Sequence, residues 1–439
     1  DDDWIGNNNW DNLENYPLKA YMYYYVVETA THWFIGFSSF HPRDWHETLF
    51  DRHENDLEGV LLTIQKDGST YGKFLCMNTV YHLNFRSYMD MHSPPSSGVT
   101  NGHEDIDGDI EWETVGSHSH PIVYVEAKGH GILGEKRWED TGFPGGDGII
   151  YRPTGTAEEP SSGTDDDVGY ALIHIKEIWN RRFGPFGDGY MFERFGVFDG
   201  NDGADDSANA PWNWDDHDDG PSFNGEFFYD PANLVDFYFE GLGSFSHDYT
   251  YNPYAIKLRV DELKVNWDKD SGSDISDPYF NLYMFDGGGN KREVLDFDSG
   301  SQWSWCEYDL EPGVWVEMHS RIPRPLYGMR YPNYPYFGIN CKEADPGTDD
   351  WLMENEYTHW YGPKGIPHYE GRPVSVKGNG QSHYDWVGSE AYITLNIEPQ
   401  VGGFFYQEWL NLPVWAWFAI GGGVVVTVIV IVVVVVKKK

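Results

Sequence analysis

The residues best suited to chemistry lie in one short stretch of the first half of the chain. His53, Asp56 and Glu58 form the pattern His-x-x-Asp-x-Glu, directly before the apolar run of residues 60–64. On an extended strand Asp56 and Glu58 point to the same face, and the loop before them can fold His53 back towards it. One imidazole and two carboxylates can therefore hold one divalent cation; the alternative is a solvated strand end with ordinary salt bridges.

A second acidic motif follows about fifty residues later. Asp105, Asp107 and Asp109 alternate along the chain around Gly108, as carboxylates do in loops that wrap oxygen atoms around Ca²⁺. The twelfth position counted from Asp105 is Gly116 rather than the bidentate Glu of an EF-hand. The motif is therefore a candidate calcium loop that needs ligands from elsewhere, or else a solvated acidic loop.

The elements that must position these residues are mainly β-strands. Short runs of β-branched and aromatic residues, separated by Gly, Pro and Asp, predict strands at residues 21–28, 59–65, 73–83, 121–127, 255–265, 279–285 and 391–397. Val168, Leu172, Ile175 and Trp179 follow helical spacing and predict one amphipathic helix. The fold class expected is mainly β: two β-sandwich-like domains with long acidic loops, at residues 1–245 and 246–399, then a juxtamembrane and anchor segment at residues 400–439.

Composition limits the kinds of partner. The formal net charge is −41, from 71 acidic residues and 30 Lys and Arg. Such a chain repels phosphate backbones, so no nucleic-acid partner is expected. Three cysteines allow at most one disulfide, which excludes a disulfide scaffold. The excess of carboxylates favours hard divalent cations, with Ca²⁺ as the expected cofactor and Mg²⁺ as the alternative.

The pattern around His53 also carries a family resemblance. Together with the upstream segment His32-Trp33-Phe34 and residues 121–131, it resembles the necrosis-inducing cytolysins and their vacuolar-sorting-like relatives. The resemblance covers about residues 20–240. It implies a β-sandwich in which the motif residues His53, Asp56 and Glu58 hold a divalent cation that binds a sugar headgroup of a membrane lipid.

The chain also departs from the signature of those families. Where they have Gly-His-Arg-His-Asp-Trp-Glu, this chain has Asn55 for the second His and Leu57 for Trp, so cytolytic activity is not implied. Asp44 is the candidate for a further upstream ligand. His130, in Gly129-His130-Gly131, is expected to approach the cation site through a tight turn; the alternative is a purely structural turn.

A second, shorter resemblance lies in the second predicted domain. Residues 258–282 resemble the calcium-dependent membrane-binding β-sandwiches of synaptotagmin and protein kinase C, with a Ser-Asp-Pro-Tyr strand entry at residues 276–279. The resemblance implies shared Ca²⁺ ligands among acidic residues of two loops, namely Asp268 or Asp270, Asp274 and Asp277, with Asp296 and Asp298 as further candidates. The alternative is a plain β-sandwich with an acidic loop.

The end of the sequence predicts a membrane anchor. From Leu412 to Val436 there is no charged residue, and three lysines starting at Lys437 follow. As a helix this run would measure about 37 Å, against a hydrocarbon core of roughly 30 Å. We therefore expect a transmembrane helix with a cytoplasmic C-terminus and an extracytoplasmic acidic bulk. An apolar helix buried in an assembly core is the alternative.

These observations together predict a membrane-anchored protein of the cell surface whose bound divalent cations organise loops. The expected partners are the membrane and a glycan, a lipid headgroup or neighbouring subunits. Two other functions remain open: a metal-dependent hydrolase of the cell envelope, and a structural subunit of a surface layer or filament. The sequence contains no GxSxG, GxxxxGK[ST] or HExxH motif, so nothing in it requires catalysis.

Overall fold

In the computed structural model of the protein, the described residues are 3–45, 53–96, 98–136, 148–182, 184–200, 208–218 and 224–255, followed by backbone strands up to Pro413. The strands of the first part, in chain order, are β1 (Tyr21–Thr29), β2 (His32–Arg43), β3 (Glu54–Gln65), β4 (Lys73–Tyr81), β5 (Asn84–Met89), β6 (Thr100–Asn101), β7 (Gly108–Asp109), β8 (Trp112–Val115), β9 (His118–Pro121), β10 (Tyr124–Val125), β11 (Ile132–Leu133), β12 (Tyr151–Arg152), β13 (Val168–Gly169), β14 (Ala171–His174), β15 (Phe192–Arg194), β16 (Val197–Phe198), β17 (Phe239–Glu240) and β18 (Tyr249–Tyr251). The helices are α1 (Lys176–Trp179), α2 (Glu226–Tyr229) and α3 (Pro231–Tyr238), with a 3₁₀ turn at Pro211–Asn213.

The centre of this part is one large mixed sheet. Its strand order is β14-β1-β2-β3-β4-β5-β7, and β18 also pairs with β1. Strands β1 to β5 are neighbours in sequence and pair as antiparallel hairpins, which short turns between alternating apolar runs favour. Strand β3 therefore lies in the middle of the sheet, and its residues are covered on both sides.

Aromatic side chains from the later segments pack against this sheet. The hydrophobic core joins Tyr25 of β1 and Phe34 of β2 to buried rings from later segments, namely Trp212 of the 3₁₀ turn, Phe228 of α2 and Tyr254 just before residue 255. Tyr25 and Phe228 meet edge to face with 4.7 Å between ring centroids. Ring packing thus holds α2 against the sheet, while the later strands β17 and β18 of the same segment pair with β6 and β1.

The predicted amphipathic helix is wrong. Its first half forms β13 and β14, and only one helical turn, α1, follows. Strand β14 pairs in parallel with β1, with Ala171 opposite Tyr21. Leu172, expected on the buried face, is 50% exposed. Pairing with a distant strand has outweighed the local helical spacing of this segment, as tertiary contacts often do.

The second part of the chain also consists of strands. They are β19 (Ala255–Val265), β20 (Pro278–Phe285), β21 (Lys291–Leu295), β22 (Val316–Glu317), β23 (Leu326–Met329), β24 (Tyr336–Glu343), β25 (Asp350–Met353), β26 (His359–Tyr361), β27 (Pro367–His368), β28 (Ser382–Val387), β29 (Ala391–Glu398), β30 (Glu408–Trp409) and β31 (Leu412–Pro413). One sheet has the order β22-β19-β29-β28 with β23 also on β19, and the other has the order β21-β20-β24-β26-β27 with β25 also on β24. The prediction of a mainly β chain is confirmed, while the division into domains stays a prediction.

The predicted anchor lies almost wholly outside the described residues. Leu412 and Pro413 form β31, which pairs with β30, and residues 414–439 are not described. Within the part of the chain that the structure describes, no helix has the length and apolar character to span a bilayer.

Candidate cation site on strand β3

The polar end of β3 contains two completely buried carboxylates. Asp56 and Glu58 each have a relative exposure of 0%. They are two residues apart on one strand, opposite His41 and Ser39 of β2 in the antiparallel register. Burying an ionised carboxylate costs several kcal/mol unless hydrogen bonds or positive charge compensate for it. The structure supplies imidazoles as partners for both residues.

Asp56 is paired with His130. The Nδ1 atom of His130 lies 2.7 Å from Oδ2 of Asp56. The ring of His130 stacks on that of His41, with 3.7 Å between the ring centroids and 4° between the planes. Burial lowers the pKa of His41 well below its ordinary value, and the neighbouring His130 lowers it further. His41 is therefore neutral at pH 7, which is the form of imidazole that binds metals.

Glu58 is paired with His82, which stands between two carboxylates. Oε1 of Glu58 accepts a hydrogen bond from the backbone N–H of His82 at 3.2 Å and lies 3.5 Å from Nδ1 of its ring. The other ring nitrogen, Nε2, is 2.8 Å from Oε2 of Glu126. Glu126 begins the turn that carries His130, because its carbonyl accepts the N–H of His130. The two imidazole–carboxylate pairs are thus joined through one turn.

The third pair lies just before β3. Nε2 of His53 is 3.6 Å from Oδ2 of Asp44, and both side chains are buried. Nδ1 of His53 lies 2.9 Å from the carbonyl oxygen of Asn55. The backbone N–H of Asp44 donates to the carbonyl of His53, which fixes the end of β2 beside the start of β3.

Backbone strain concentrates at the same place. Among the described residues, the non-glycine residues with positive φ are Asn55, His82, Lys128 and His130, with φ values of 60°, 55°, 76° and 60°. All of them belong to the motif or to the turns that face it. Left-handed backbone in non-glycine residues costs of order 1 kcal/mol or more and is typical of ligand and active sites.

Two glycines allow this close approach. A Cβ atom at Gly131 would lie 2.7 Å from Cδ2 of Tyr81 and 3.1 Å from Nε2 of His82. One at Gly129 would lie 3.0 Å from Cε1 of His82. The turn therefore needs glycine on both sides of His130 to rest against the His82 ring. The turn brings His130 against Asp56, and the approach of His130 to a bound cation stays a prediction.

An aromatic pair adjoins the site. The rings of Trp10 and Trp45 meet edge to face at 5.1 Å, and the guanidinium of Arg43 lies 4.6 Å from the Trp45 ring centre. The backbone N–H of Trp45 donates to the carbonyl of Lys128, in the turn that carries His130. Both rings are half-buried, and the backbone of Trp45 contacts the same turn as the site.

The three aspartates of the predicted calcium loop each contact a different set of partners. Asp107 accepts hydrogen bonds from Arg86 and from the backbone of Ser87, and Asp105 accepts one from Asn101. Asp109 instead lies 2.5 Å from Nδ1 of the exposed His92. Within the described ranges, one group of three metal-type side chains has its ligand atoms all within 4.8 Å, namely Asp90, His92 and Asp109. The candidate ligands near His53 contact one another as pairs instead: Asp44 with His53, Asp56 with His130, and Glu58 with His82.

The remaining predicted ligands belong to the second part of the chain. Asp268, Asp270, Asp274, Asp277, Asp296 and Asp298 lie outside the described residues.

The sequence analysis did not single out three residues of the site, namely His41, His82 and Glu126. His41 lies near the end of strand β2, which was not predicted as a strand, and only the register of β2 against β3 brings it opposite Asp56. His82 occupies the turn between β4 and β5, where its backbone φ is positive. A histidine at a tight hairpin turn was the available signal for it.

Comparisons with known proteins give only low structural similarity. No protein-family profile matches the sequence, and no curated protein matches it. One similar solved structure is human GIVD cytosolic phospholipase A2 in complex with methyl gamma-linolenyl fluorophosphonate and terbium chloride, with 12% identity over 33% of this chain and 17% of that one, at a TM-score of 0.21.

Two further neighbours cover a smaller share of this chain. The non-toxic protein HaNLP3 shows 19% identity over 24% of this chain and 44% of its own, at a TM-score of 0.16. A protein described as a toxin fold for microbial attack and plant defense shows 16% identity over 23% of this chain and 44% of its own, at a TM-score of 0.15. The chain spans less than half of each of these structures. At TM-scores this low, the neighbours define neither its fold nor its function.

Proposed function

We propose that this protein holds a divalent cation at the polar end of β3 and uses it to bind a sugar-containing headgroup or glycan at a cell surface. The observation that carries the proposal is the complete burial of Asp56 and Glu58 side by side on β3, each against an imidazole from another segment. Asp44 and His53, a buried pair just before β3, supply a further carboxylate and imidazole. A divalent cation offsets clustered carboxylate charge more effectively than imidazoles do.

The donor set fits a divalent cation. Asp44, Asp56 and Glu58 offer carboxylate oxygens, and His53 offers a ring nitrogen, so hard and borderline divalent ions are both accommodated. When bound, the ion would present an electropositive centre to a ligand oxygen. The protein's own residues would hold that ion, orient the ligand and keep the site rigid through the strained turns at His82 and His130.

The aromatic pair supports a sugar as the ligand. Trp45 lies next to Asp44 in the chain and packs against Trp10, so ring surface adjoins the proposed ion. A pyranose ring has apolar C–H faces that pack on aromatic rings and hydroxyl groups that bind cations. Amphipathic tryptophans are suited to such a half-wet position. The predicted anchor would hold this site at an extracytoplasmic membrane surface.

The test measures metal content and sugar binding together. The chain and an Asp56→Asn, Glu58→Gln double variant are purified without added chelator, and their metal content is compared by elemental analysis. Each protein is then screened on a glycan array with and without a chelator. We expect the double variant to lose one metal equivalent and all chelator-sensitive glycan signals. An Asp90→Asn, Asp109→Asn variant, which alters the exposed triplet, is the matched control and should keep both. Unchanged metal content in the double variant would refute the proposal.

A further inference from the structure

The large sheet has two different faces at strands β1 and β2. Tyr25 and Val27 of β1 and Phe34 of β2 point towards the core, and each has a relative exposure of at most 1%. The side chains that alternate with them point to the opposite side of the sheet and are half-buried. We call this surface the outer face, and it consists of Met22, Tyr24, Val26, Trp33, Ile35 and Phe37.

The outer face is apolar where a solvated sheet surface would be polar. Antiparallel strands with one face in water alternate apolar and polar residues, whereas strands covered on both faces read as continuous apolar runs. Strands β1 and β2 follow the second pattern, because Tyr24 pairs with Phe37 and Val26 with Ile35 across the ladder. The six side chains thus have the composition of a covered face, but they belong to neither hydrophobic core of the described residues.

The charge at the end of the outer face is neutralised locally. Glu28 of β1 lies opposite Trp33 of β2 in the ladder. Nζ of Lys66 lies 2.5 Å from Oε1 of Glu28 and 5.2 Å from the centre of the Trp33 ring. This ion pair leaves the end of the face without net charge, although the whole chain carries a formal charge of −41.

We infer that the outer face is a dimerisation surface, which packs against the same face of a second copy of this chain. A two-fold contact brings identical patches together, so it needs apolar complementarity and no opposite charge. Aromatic residues and Met are enriched in the cores of such interfaces, and charged residues are depleted there. The outer face has this composition, whereas a cationic partner would bind the acidic surfaces of the chain instead. The inference goes beyond the proposed function and makes no use of the cation.

The size of the face fits a small interface between two copies. Strands about 4.8 Å apart give the four strands β14, β1, β2 and β3 a width of about 19 Å, and the stretch from Met22 to Glu28 is about 24 Å long. Each copy then contributes roughly 450 Å² of projected area, and two copies about 900 Å², close to the roughly 1,000 Å² of a specific interface. Exposed Leu172 of β14 extends the apolar surface at one side. We therefore expect a weak, reversible dimer.

The experiment is sedimentation equilibrium of the full-length chain in a mild, density-matched detergent, from about 1 µM to about 1 mM protein. We expect a reversible rise from the mass of one chain to the mass of two. An Ile35→Thr, Phe37→Thr double variant keeps strand-forming residues but removes apolar surface from both copies, so its dissociation constant should rise at least about 10-fold. A Met91→Thr, Tyr190→Thr variant removes two exposed apolar side chains outside the face and is the matched control, which should dimerise normally.

A milder variant keeps the test decisive if the double variant does not fold, as judged by circular dichroism. Val26→Thr preserves the shape of the side chain and places a hydroxyl in the middle of the face, so the dimer should weaken at least about 3-fold. Added salt should strengthen the dimer, because it screens the repulsion between two acidic chains.

Three results would overturn the inference. The first is the mass of one chain at every protein and salt concentration, which would leave the face to a different occupant. The second is a dimer that the outer-face variants leave unchanged, because the copies then associate through another surface, such as the terminal apolar segment. The third is a dimer that dissociates as salt is added, because ion pairs rather than an apolar face would then hold it together.

Discussion

At the scale of single residues, Asp216 is a buried acid outside the candidate site. Its side chain is 5% exposed, accepts a hydrogen bond from the backbone N–H of Phe85 at 3.1 Å, and is hydrogen-bonded to the hydroxyl of Tyr238. Burial raises the pKa of Asp216 to about 7; the Tyr238 hydrogen bond opposes this rise and the nearby Asp218 adds to it. The protonated form is therefore favoured in the folded protein.

This pKa predicts a pH-dependent stability. An unfolded Asp has a pKa of about 3.9, so the folded state holds the proton more tightly between pH 4 and 7. The stability from protonated Asp216 is present below pH 4 and is lost as the pH rises to about 7, by up to about 4 kcal/mol. Asp216→Asn cannot titrate and should lose this part of the slope. Urea unfolding from pH 4 to pH 8 measures it.

A second variant distinguishes this cause from general damage to the core. Tyr238→Phe removes the hydrogen bond that favours the ionised form of Asp216, so the upper end of the pH window should move above 7. If Asp216→Asn and the unchanged protein lose stability in parallel across this range, the buried carboxyl is not responsible.

The candidate site shows how much residue spacing can predict. Asp44, His53, Asp56, Glu58 and His130 were all expected at one place, and the structure brings Asp44 to His53 and His130 to Asp56. Asp56 and Glu58 were predicted from their spacing on one strand and His53 from the loop before it, whereas Asp44 came from the family resemblance and His130 from its Gly-His-Gly turn. His41 and Glu126 could not be predicted in the same way, because their positions depend on the β2–β3 register and on the contact of Glu126 with His82, 44 residues earlier in the chain.

At the scale of elements, α3 is held in place by a tyrosine rather than by its own cap. The N-cap residue, Asp230, makes no side-chain hydrogen bond to the helix. The hydroxyl of Tyr249, from β18, accepts the N–H of Ala232 at 2.8 Å and donates to Oδ1 of Asp230 at 2.8 Å. One of the unsatisfied N–H groups of the first turn is thus paired with a strand of the main sheet.

This contact predicts a measurable loss of stability. Tyr249→Phe keeps the buried ring and removes both hydrogen bonds, leaving the Ala232 N–H buried without that acceptor. We expect the free energy of unfolding to fall by about 1–3 kcal/mol, measured by urea denaturation. Tyr190→Phe removes a hydroxyl from a ring that is 44% exposed and should have little effect. Equal losses in the two variants would contradict the role of Tyr249.

The elements themselves were predicted unevenly. The apolar runs that became β1, β3, β4, β19, β20 and β29 have strand patterns strong enough to be recognised locally. Residues 168–175 have helical spacing, yet residues 168–169 pair with β12 in a separate two-stranded sheet and residues 171–174 pair with β1 at one edge of the large sheet. The residues of β14 become a strand because the edge of β1 is available for pairing, and no local sequence pattern predicts that availability.

At the scale of the whole molecule, charge and apolar character are separated along the chain. The acidic residues are distributed through residues 1–411, while residues 412–439 carry no acidic residue and three lysines. A strongly acidic body repels anionic lipid surfaces and stays hydrated. Any stable contact with a bilayer is therefore expected to come from the terminal segment.

The last prediction tests that segment directly. A Val- and Ile-rich run gains about 0.3–0.6 kcal/mol per residue at the centre of a bilayer, and a helix satisfies its own backbone there. Full-length protein reconstituted with neutral phosphatidylcholine vesicles should float with them in a density gradient, whereas a chain ending at Asn411 should remain in the dense fraction. Neutral lipid avoids repulsion of the acidic body. If the full-length chain stays monomeric in the dense fraction without detergent, the anchor is refuted. If the full-length chain forms detergent-resistant fibres and the truncated chain does not, the terminal segment is an assembly core. Its apolar surface is then buried against other copies of the same segment rather than against lipid.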